Sequence, residues 1–326
     1  MLSTMMQYPL TLTHLLERAG RFYANSEIVS RLPDKSLHRH RYGDFYRRAR
    51  RLAAGLTRIG LLPGDRVATL CWNHYAHLEA YFGIPVAGGV LHTLNLRLFP
   101  EDIAFIVKHA ADRFLIVDDV LLPLLEKFRD QVTFERIFVV SLSNAPVPPG
   151  MERYEDLLAL GGDDFDYPAI DENAACGMCY TSGTTGRPNG VVYSHRSTIL
   201  HAMTAALPDV MALSGADIVL PVVPMFHANA WALPYICTLV GATQVFPGPH
   251  LDADSILELL SGERVSMSAG VPTIWLGLLQ TIKAKQAQFP LNPKLRMLVG
   301  GSAVPESLIR AYGEIGIDIY QGWGMT

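Results

Sequence analysis

The chain has 326 residues, 27 Lys and Arg against 31 Asp and Glu, a formal net charge of −4 and 49% hydrophobic residues. That length supports one large domain or two ordinary ones with an ample core, and a charged content of 18% excludes wholesale disorder. The balanced charge argues against nucleic acid as a partner, because counterion release needs a concentrated basic footprint.

The cysteines are Cys71, Cys176, Cys179 and Cys237. They are too few for a disulfide framework, and a reducing, cytoplasmic setting is expected. Cys176-x-x-Cys179 invites a zinc or redox reading. Zinc needs a second ligand pair, however, and Ala174-Ala175-Cys176-Gly177-Met178-Cys179-Tyr180 reads as a buried strand. The first twenty residues lack a basic n-region and carry Pro9 and Glu17, unlike a secretory signal. No apolar run reaches the roughly 18 residues of a membrane span, so no integral segment is predicted and only peripheral contact with a membrane stays open.

In chain order, a helix is predicted over 42–59, with Phe45, Ala49, Leu52, Leu56 and Ile59 on one face. Arg47, Arg48, Arg50, Arg51 and Arg58 fall mostly elsewhere, as a solvated face or, less simply, a phosphate site. Gly60 ends the helix, and Leu62-Pro63-Gly64-Asp65 turns the chain into a strand over 66–72. A helix over 74–87, a strand over 90–94 and a helix opening at Pro100-Glu101-Asp102 follow. Strands over 113–117 and 136–140 flank a helix over 120–131. The stretch 141–171 is rich in Pro, Gly and Asp and is the expected internal boundary. Strands are then predicted over 174–181, 190–194, 218–223, 243–246, 265–268, 295–299 and 318–321. Helices over 197–206, 252–260, 272–280 and 305–312 separate several of them. This alternation predicts an α/β protein with two doubly wound, mainly parallel sheets and flanking helices, in lobes of about 1–165 and 171–326.

The richest local feature is Tyr180-Thr181-Ser182-Gly183-Thr184-Thr185-Gly186-Arg187-Pro188-Asn189-Gly190-Val191-Val192. Glycines let backbone N–H groups approach a ligand, and hydroxyls add donors or ligands for a hard cation. A polyphosphate suits such a loop, although an ordinary Ser/Thr/Gly hairpin has the same composition. The spacing matches neither G-x-G-x-x-G nor G-x-x-x-x-G-K-[ST]. The histidines show no metal spacing; His74 and His77 lie three apart on a predicted helix without an evident third ligand.

This loop resembles the phosphate-binding signature of the acyl-adenylate-forming enzymes, whose usual form is close to Y-T-S-G-T-T-G-x-P-K-G-V. Three further segments resemble that family in its order. Pro224-Met225-Phe226-His227-Ala228-Asn229-Ala230-Trp231 is similar to the wording of medium- and long-chain fatty acyl-CoA ligases. Gly300-Gly301-Ser302-Ala303 is similar to the segment beside adenine, and Tyr320-Gln321-Gly322-Trp323-Gly324-Met325-Thr326 to the opening of Y-G-x-T-E. The resemblance covers essentially the whole chain. It implies a fatty acid–CoA ligase that forms acyl-AMP from ATP and a carboxylate, then transfers the acyl group to coenzyme A.

The resemblance also implies roles. Thr181, Ser182, Gly183, Thr184, Thr185 and Gly186 would wrap the β- and γ-phosphates, with Thr184 beside Mg²⁺. His227 would meet the carboxylate and α-phosphate, where the bland alternative is a satisfied histidine at a strand end. Ala228 would border the nucleotide site, and Trp231 would gate the acyl tunnel or simply pack in the core. Gly301 and Ser302 would lie against adenine. Gln321, Gly322 and Thr326 would line the nucleotide, with the Thr326 hydroxyl on the α-phosphate. The apolar stretch 265–278, with Pro272 and Trp275, would line the acyl pocket; the residues alone read as core. A homodimer is implied by resemblance only.

Two departures stand out. Asn189 occupies the usual lysine position and cannot replace an ammonium electrostatically, so weaker phosphate binding is expected. The sequence halts at Thr326, before the family's magnesium-binding glutamate and before its small C-terminal domain. The expectation is therefore an incomplete large N-terminal domain with little activity by itself. Two alternatives remain open: an adenylate-forming enzyme with another acceptor, and a non-catalytic nucleotide- or acyl-binding module.

Overall fold

The computed structural model describes residues 1–143, 145–181, 186–285 and 288–326. The chain opens with α1 (Leu12–Phe22), followed by the hairpin β1 (Glu27–Arg31) and β2 (Leu37–Arg41). Next come α2 (Tyr42–Arg58), β3 (Arg66–Leu70), α3 (Tyr75–Val86), β4 (Val90–Thr93) and α4 (Pro100–Ala110). β5 (Phe114–Asp118), α5 (Leu122–Leu125), β6 (Arg136–Val140), β7 (Glu152–Arg153) and α6 (Tyr154–Gly161) complete the first half. The second half contributes β8 (Ala175–Tyr180), β9 (Gly190–Ser194), α7 (His195–Ala205), β10 (Ile218–Pro221) and α8 (Leu233–Val240). It continues with β11 (Thr243–Phe246), α9 (Ala253–Gly262), β12 (Met267–Gly270), α10 (Pro272–Lys285), β13 (Arg296–Val299), α11 (Glu306–Gly313) and β14 (Asp318–Gln321).

The strands form two seven-stranded sheets, β7-β6-β5-β3-β4-β8-β9 and β14-β13-β12-β10-β11-β1-β2. Within each, every pairing is parallel except the last, β8 with β9 and β1 with β2. The expected fold class is what the structure shows, but the sheets do not divide the chain at 165–171. The first sheet takes β8 and β9 from the second half, and the second sheet takes β1 and β2 from the first.

The apolar clusters give five layers. α4 and α5 cover the outer face of the first sheet, and α9, α10 and α11 that of the second. α1, α2, α3, α6, α7 and α8 fill one shared core between the sheets. Strands buried on both faces need continuous apolar runs, as in the fully buried Phe114–Asp118. Trp275 and Leu278 belong to the outer core, where the Trp275 indole N–H donates to the Leu298 carbonyl at 3.1 Å. Those side chains pack α10 against the second sheet.

The stretch 141–171 is no loose boundary, because it contains α6, packed on α2. A Cβ at Gly161 would stand 1.9 Å from the Arg51 carbonyl oxygen, and one at Gly55 would stand 2.3 Å from that of Leu157. Both glycines therefore permit backbone contact between the helices. The α2 arginines serve this packing. Arg48 joins buried Glu79 at 2.6 Å and Glu155 at 2.6 Å, Arg51 grips both oxygens of Asp163, and Arg50 donates to the Phe165 carbonyl at 2.8 Å. The predicted helix over 120–131 is broken into α5 between single turns at Asp119–Leu121 and Arg129–Gln131.

Candidate functional site

The candidate residues collect where parallel strands end. Ligands of doubly wound sheets bind outside the carboxyl ends of the strands, at such edges. His227 follows β10, Gly300 and Gly301 follow β13, Gly322 follows β14 and Thr181 follows β8.

The segment from Ala228 to Ala232 is a left-handed turn, with φ of 44°, 52°, 48°, 55° and 63° at successive non-glycine residues. For L-residues that conformation costs about 1–2 kcal/mol each, so surrounding bonds must impose it. Asn73, buried in the loop between β3 and α3, fixes the strand exit that leads into the turn with three bonds. Its amide donates to the Pro221 and Val223 carbonyls at 3.0 and 2.9 Å, and its carbonyl accepts from the Met225 N–H at 2.7 Å. The Tyr81 hydroxyl donates to the Met225 carbonyl. The Cys179 thiol donates to the Asn229 side chain at 3.4 Å, tying β8 to the turn.

The turn delivers Trp231 to the ends of β13 and β14. A Cβ at Gly300 would lie 2.6 Å from the Gly322 carbonyl oxygen and 3.3 Å from the Trp231 ring. Gly301 has φ of +81° and leads to the exposed Ser302. Trp231, Gly301 and Gly322 are thus brought together. Among the described residues, no hydrogen bond joins Ser302, Gln321 or Thr326 to another candidate, although Gln321 pairs with Val299 at the same edge.

His227 is half-buried, and burial, followed by the nearby Arg97 charge, lowers its pKa below the usual imidazole value. At neutral pH it is an uncharged donor and acceptor, not a fixed cation. Arg97, in the loop after β4, holds its guanidinium 6.0 Å above the Phe226 ring and makes no ion pair among the described residues. The edge therefore offers a positive group and a neutral imidazole side by side, suited to an oxyanion and a group under attack.

The first sheet supplies the base of the glycine-rich loop. The Thr181 N–H donates to the Asn189 carbonyl at 3.0 Å, and the Asn189 N–H donates to Thr181 Oγ1 at 3.2 Å. The Asn189 backbone closes a hairpin neck, and Gly186 is exposed in open space. Ser182, Gly183, Thr184 and Thr185 lie outside the described residues, and with them the candidate magnesium contact.

Cys176 and Cys179 are buried on β8, as the strand reading predicted, and burial pushes the Cys176 thiol up to about 12. Cys176 bonds with the Thr198 hydroxyl and Cys179 with that of Thr93, both at 3.3 Å. Cys71, His74 and Asp118 do cluster. Their polar atoms are nevertheless engaged. His74 Nε2 bonds Asp118 at 2.8 Å, the Trp72 N–H donates to Asp118 at 2.8 Å, and His74 Nδ1 caps α3 by accepting from Ala76 and His77. The cluster is a helix start, not a vacant ligand set.

Sequence reasoning missed Arg97, Asn73 and Tyr81. Asn73 leaves one signal, a lone amide directly after an apolar strand. Arg97 leaves none, since it stands in an aperiodic loop.

Two mainly parallel sheets, with strand-end loops that carry a neutral histidine, a guanidinium without an ion pair among the described residues and close-packed glycines, define the class as a doubly wound α/β protein. The model of the family described as AMP-binding enzyme matches residues 16–326, and the chain belongs to that family. It is 50% identical over 324 residues to a long-chain-fatty-acid–CoA ligase of Thermus thermophilus, covering 99% of this chain and 59% of the relative. It is 44% identical over 331 residues to a medium-chain-fatty-acid–CoA ligase of Ectopseudomonas oleovorans, covering 100% of this chain and 60% of the relative. The inhibitor-bound N-terminal domain of FACL13 from Mycobacterium tuberculosis superposes with a TM-score of 0.80 at 26% identity, over 97% of this chain and 76% of that one. The chain thus spans about three fifths of the length of these curated relatives. No helix among the described residues is long and apolar enough to cross a membrane.

Proposed function

We propose that the chain supplies the nucleotide- and acyl-binding part of an AMP-forming fatty acid–CoA ligase, the whole protein using a fatty acid, ATP and coenzyme A. The observation that carries this reading is the turn after β10, which sets the neutral His227 beside Arg97 and lays Trp231 against Gly300 and Gly301. The identity to fatty acid–CoA ligases supports it.

In the proposed first step, a fatty carboxylate attacks the α-phosphorus of ATP, an acyl–phosphate bond forms and pyrophosphate leaves. Two anions must approach, so positioning and charge stabilisation dominate the barrier. Arg97 offsets phosphate charge, and the His227 imidazole hydrogen-bonds the oxygen on which charge develops. Trp231 and the glycines exclude water and seat adenine against backbone. In the second step, the thiol of coenzyme A displaces AMP from the acyl carbon. Magnesium belongs, by resemblance, beside Thr184. The reading takes the whole protein as cytoplasmic and leaves room for a homodimer.

Calorimetric titration of the chain with a non-hydrolysable acyl-adenylate analogue tests this. Binding that His227→Ala weakens about tenfold or more is expected. A folded chain that binds neither the analogue nor ATP overturns the proposal. Asn189→Lys is expected to tighten ATP binding several-fold, because only the Asn189 backbone serves the hairpin neck; no gain would refute a role for charge at this position.

A further inference from the structure

Tyr180 and Arg187, which flank the glycine-rich segment between β8 and β9, both meet one face of α4. Phe105 and His109 lie four residues apart and so share that face. Their rings stack, with centroids 5.5 Å apart and planes inclined by 24°. His109 Nδ1 bonds the Tyr180 hydroxyl at 2.6 Å, immediately before Thr181. The Arg187 guanidinium sits over the Phe105 ring at 5.0 Å, immediately after Gly186. Tyr180 is backed from the other side by the buried His92, 5.1 Å away between ring centroids, whose Nδ1 bonds Asp112 at 2.8 Å. One continuous column, Arg187–Phe105–His109–Tyr180–His92–Asp112, therefore joins the residues on either side of the loop to a single helix.

We propose that Phe105 and His109 are positioning residues for phosphate binding, acting as a clamp that fixes the entry and exit of the loop on α4. The inference rests on the reading of that loop as the phosphate-binding element and assigns the helix that anchors its two flanking residues. Neither residue touches the nucleotide. Arg187 directs its guanidinium to an aromatic face. Fixing both ends lowers the ordering cost of binding the phosphates, so losing the clamp weakens attraction for phosphate without altering contacts to the base.

The test compares ATP with adenosine in titrations of the whole chain. Wild type is expected to bind ATP more tightly than adenosine. Phe105→Leu keeps an apolar side chain but removes the ring, and is expected to weaken ATP about tenfold while leaving adenosine within about twofold. Phe105→Tyr restores the ring and should restore ATP affinity. His109→Gln, which keeps a polar group but removes the stack, should behave like Phe105→Leu. An equal loss for both ligands would mark the column as merely structural, and unchanged ATP affinity would remove its role; either overturns the proposal. If wild type itself binds adenosine and ATP equally, the reading of the loop fails first and takes the clamp with it.

Discussion

Asn73→Ala is expected to destabilise the protein by about 3 kcal/mol and to loosen the site without touching a ligand. The wild-type amide makes three hydrogen bonds, to the carbonyls of Pro221 and Val223 and from the N–H of Met225, at 2.7 to 3.0 Å. Its residue is only 3% exposed. A buried partner left unsatisfied costs about 1–3 kcal/mol, and three such groups with some water entry give a total near the lower bound of the sum. For a chain of this size, about 3 kcal/mol corresponds to a fall in Tm of roughly 4 °C. The same bonds hold the strand exit that leads to His227, so affinity for an acyl-adenylate analogue should fall with stability. Asn73→Asp separates geometry from volume: the carboxylate keeps the shape but faces two carbonyl oxygens it cannot donate to. Burial raises the pKa of such an acid above its unfolded value near 3.9. Its penalty is therefore absent below that value and grows as pH rises through the folded pKa. Urea unfolding of both variants at pH 5 and pH 8 checks this. An alanine variant within about 1 kcal/mol of wild type, or an aspartate variant no worse at pH 8 than at pH 5, would refute the reasoning.

Gly300→Ala would place a Cβ 2.6 Å from the Gly322 carbonyl oxygen, forcing the ends of β13 and β14 apart; a cost of about 1–3 kcal/mol and more than tenfold weaker AMP binding are expected by thermal shift and titration. His195 is buried, accepts the Leu12 N–H at Nδ1, and has its pKa lowered by burial to about 4. Its folded pKa lies below the unfolded value near 6.5, so its contribution is whole above pH 6.5 and is lost as pH falls toward 4, about 3 kcal/mol across that window. His195→Asn retains an acceptor but should flatten the acid limb of the stability profile; an unchanged limb would contradict this. Ala111 ends α4 in the left-handed region, with φ of 53° and ψ of 54°, and is exposed. Ala111→Gly removes that strain against a larger unfolded-state entropy, and a net gain of about 0.5–1 kcal/mol in urea unfolding is expected.

Periodic burial made much of the fold legible. Phe45, Ala49, Leu52 and Leu56 announce the buried face of α2, and Pro100 with Glu101 and Asp102 announces the start of α4. Which sheet a strand joins is another matter. The pattern in Glu27–Arg31 or Ala175–Tyr180 can mark a strand, yet its partners lie across the chain and leave no local trace. The Pro- and Gly-rich stretch misled for a related reason: Gly161 reads as a breaker, whereas its lack of a side chain lets α6 touch the α2 backbone. The predicted helix over 120–131 failed where buried Leu125 and Phe128, three apart, suit a tighter turn, and where Asp119 turns its carboxylate to the Ser143 N–H and hydroxyl.

The site shows the same division more sharply. Its residue types could be read from motifs, because chemistry is carried by the identity of His227, Gly301 or Thr181. Its geometry could not, because the turn from Ala228 to Ala232 opposes local preference: alanine favours a right-handed helix, and no glycine is present to relieve five left-handed residues. Only groups distant in sequence can offset that strain. Tyr81, from α3, and Cys179, from β8, bond the Asn229 side chain within the turn, and Asn73, from the loop before α3, fixes the strand exit that leads into it, all on the side of the first sheet. The turn they hold then positions Trp231 against β13 and β14 of the second sheet. The two sheets are thus coupled through the strained segment that follows His227, and exchanging strand pairs between the halves of the chain places β8, with Cys179, close enough to take part. The discontinuous order of the strands and the left-handed turn are two sides of one arrangement, in which the first sheet shapes a site that the second sheet largely lines.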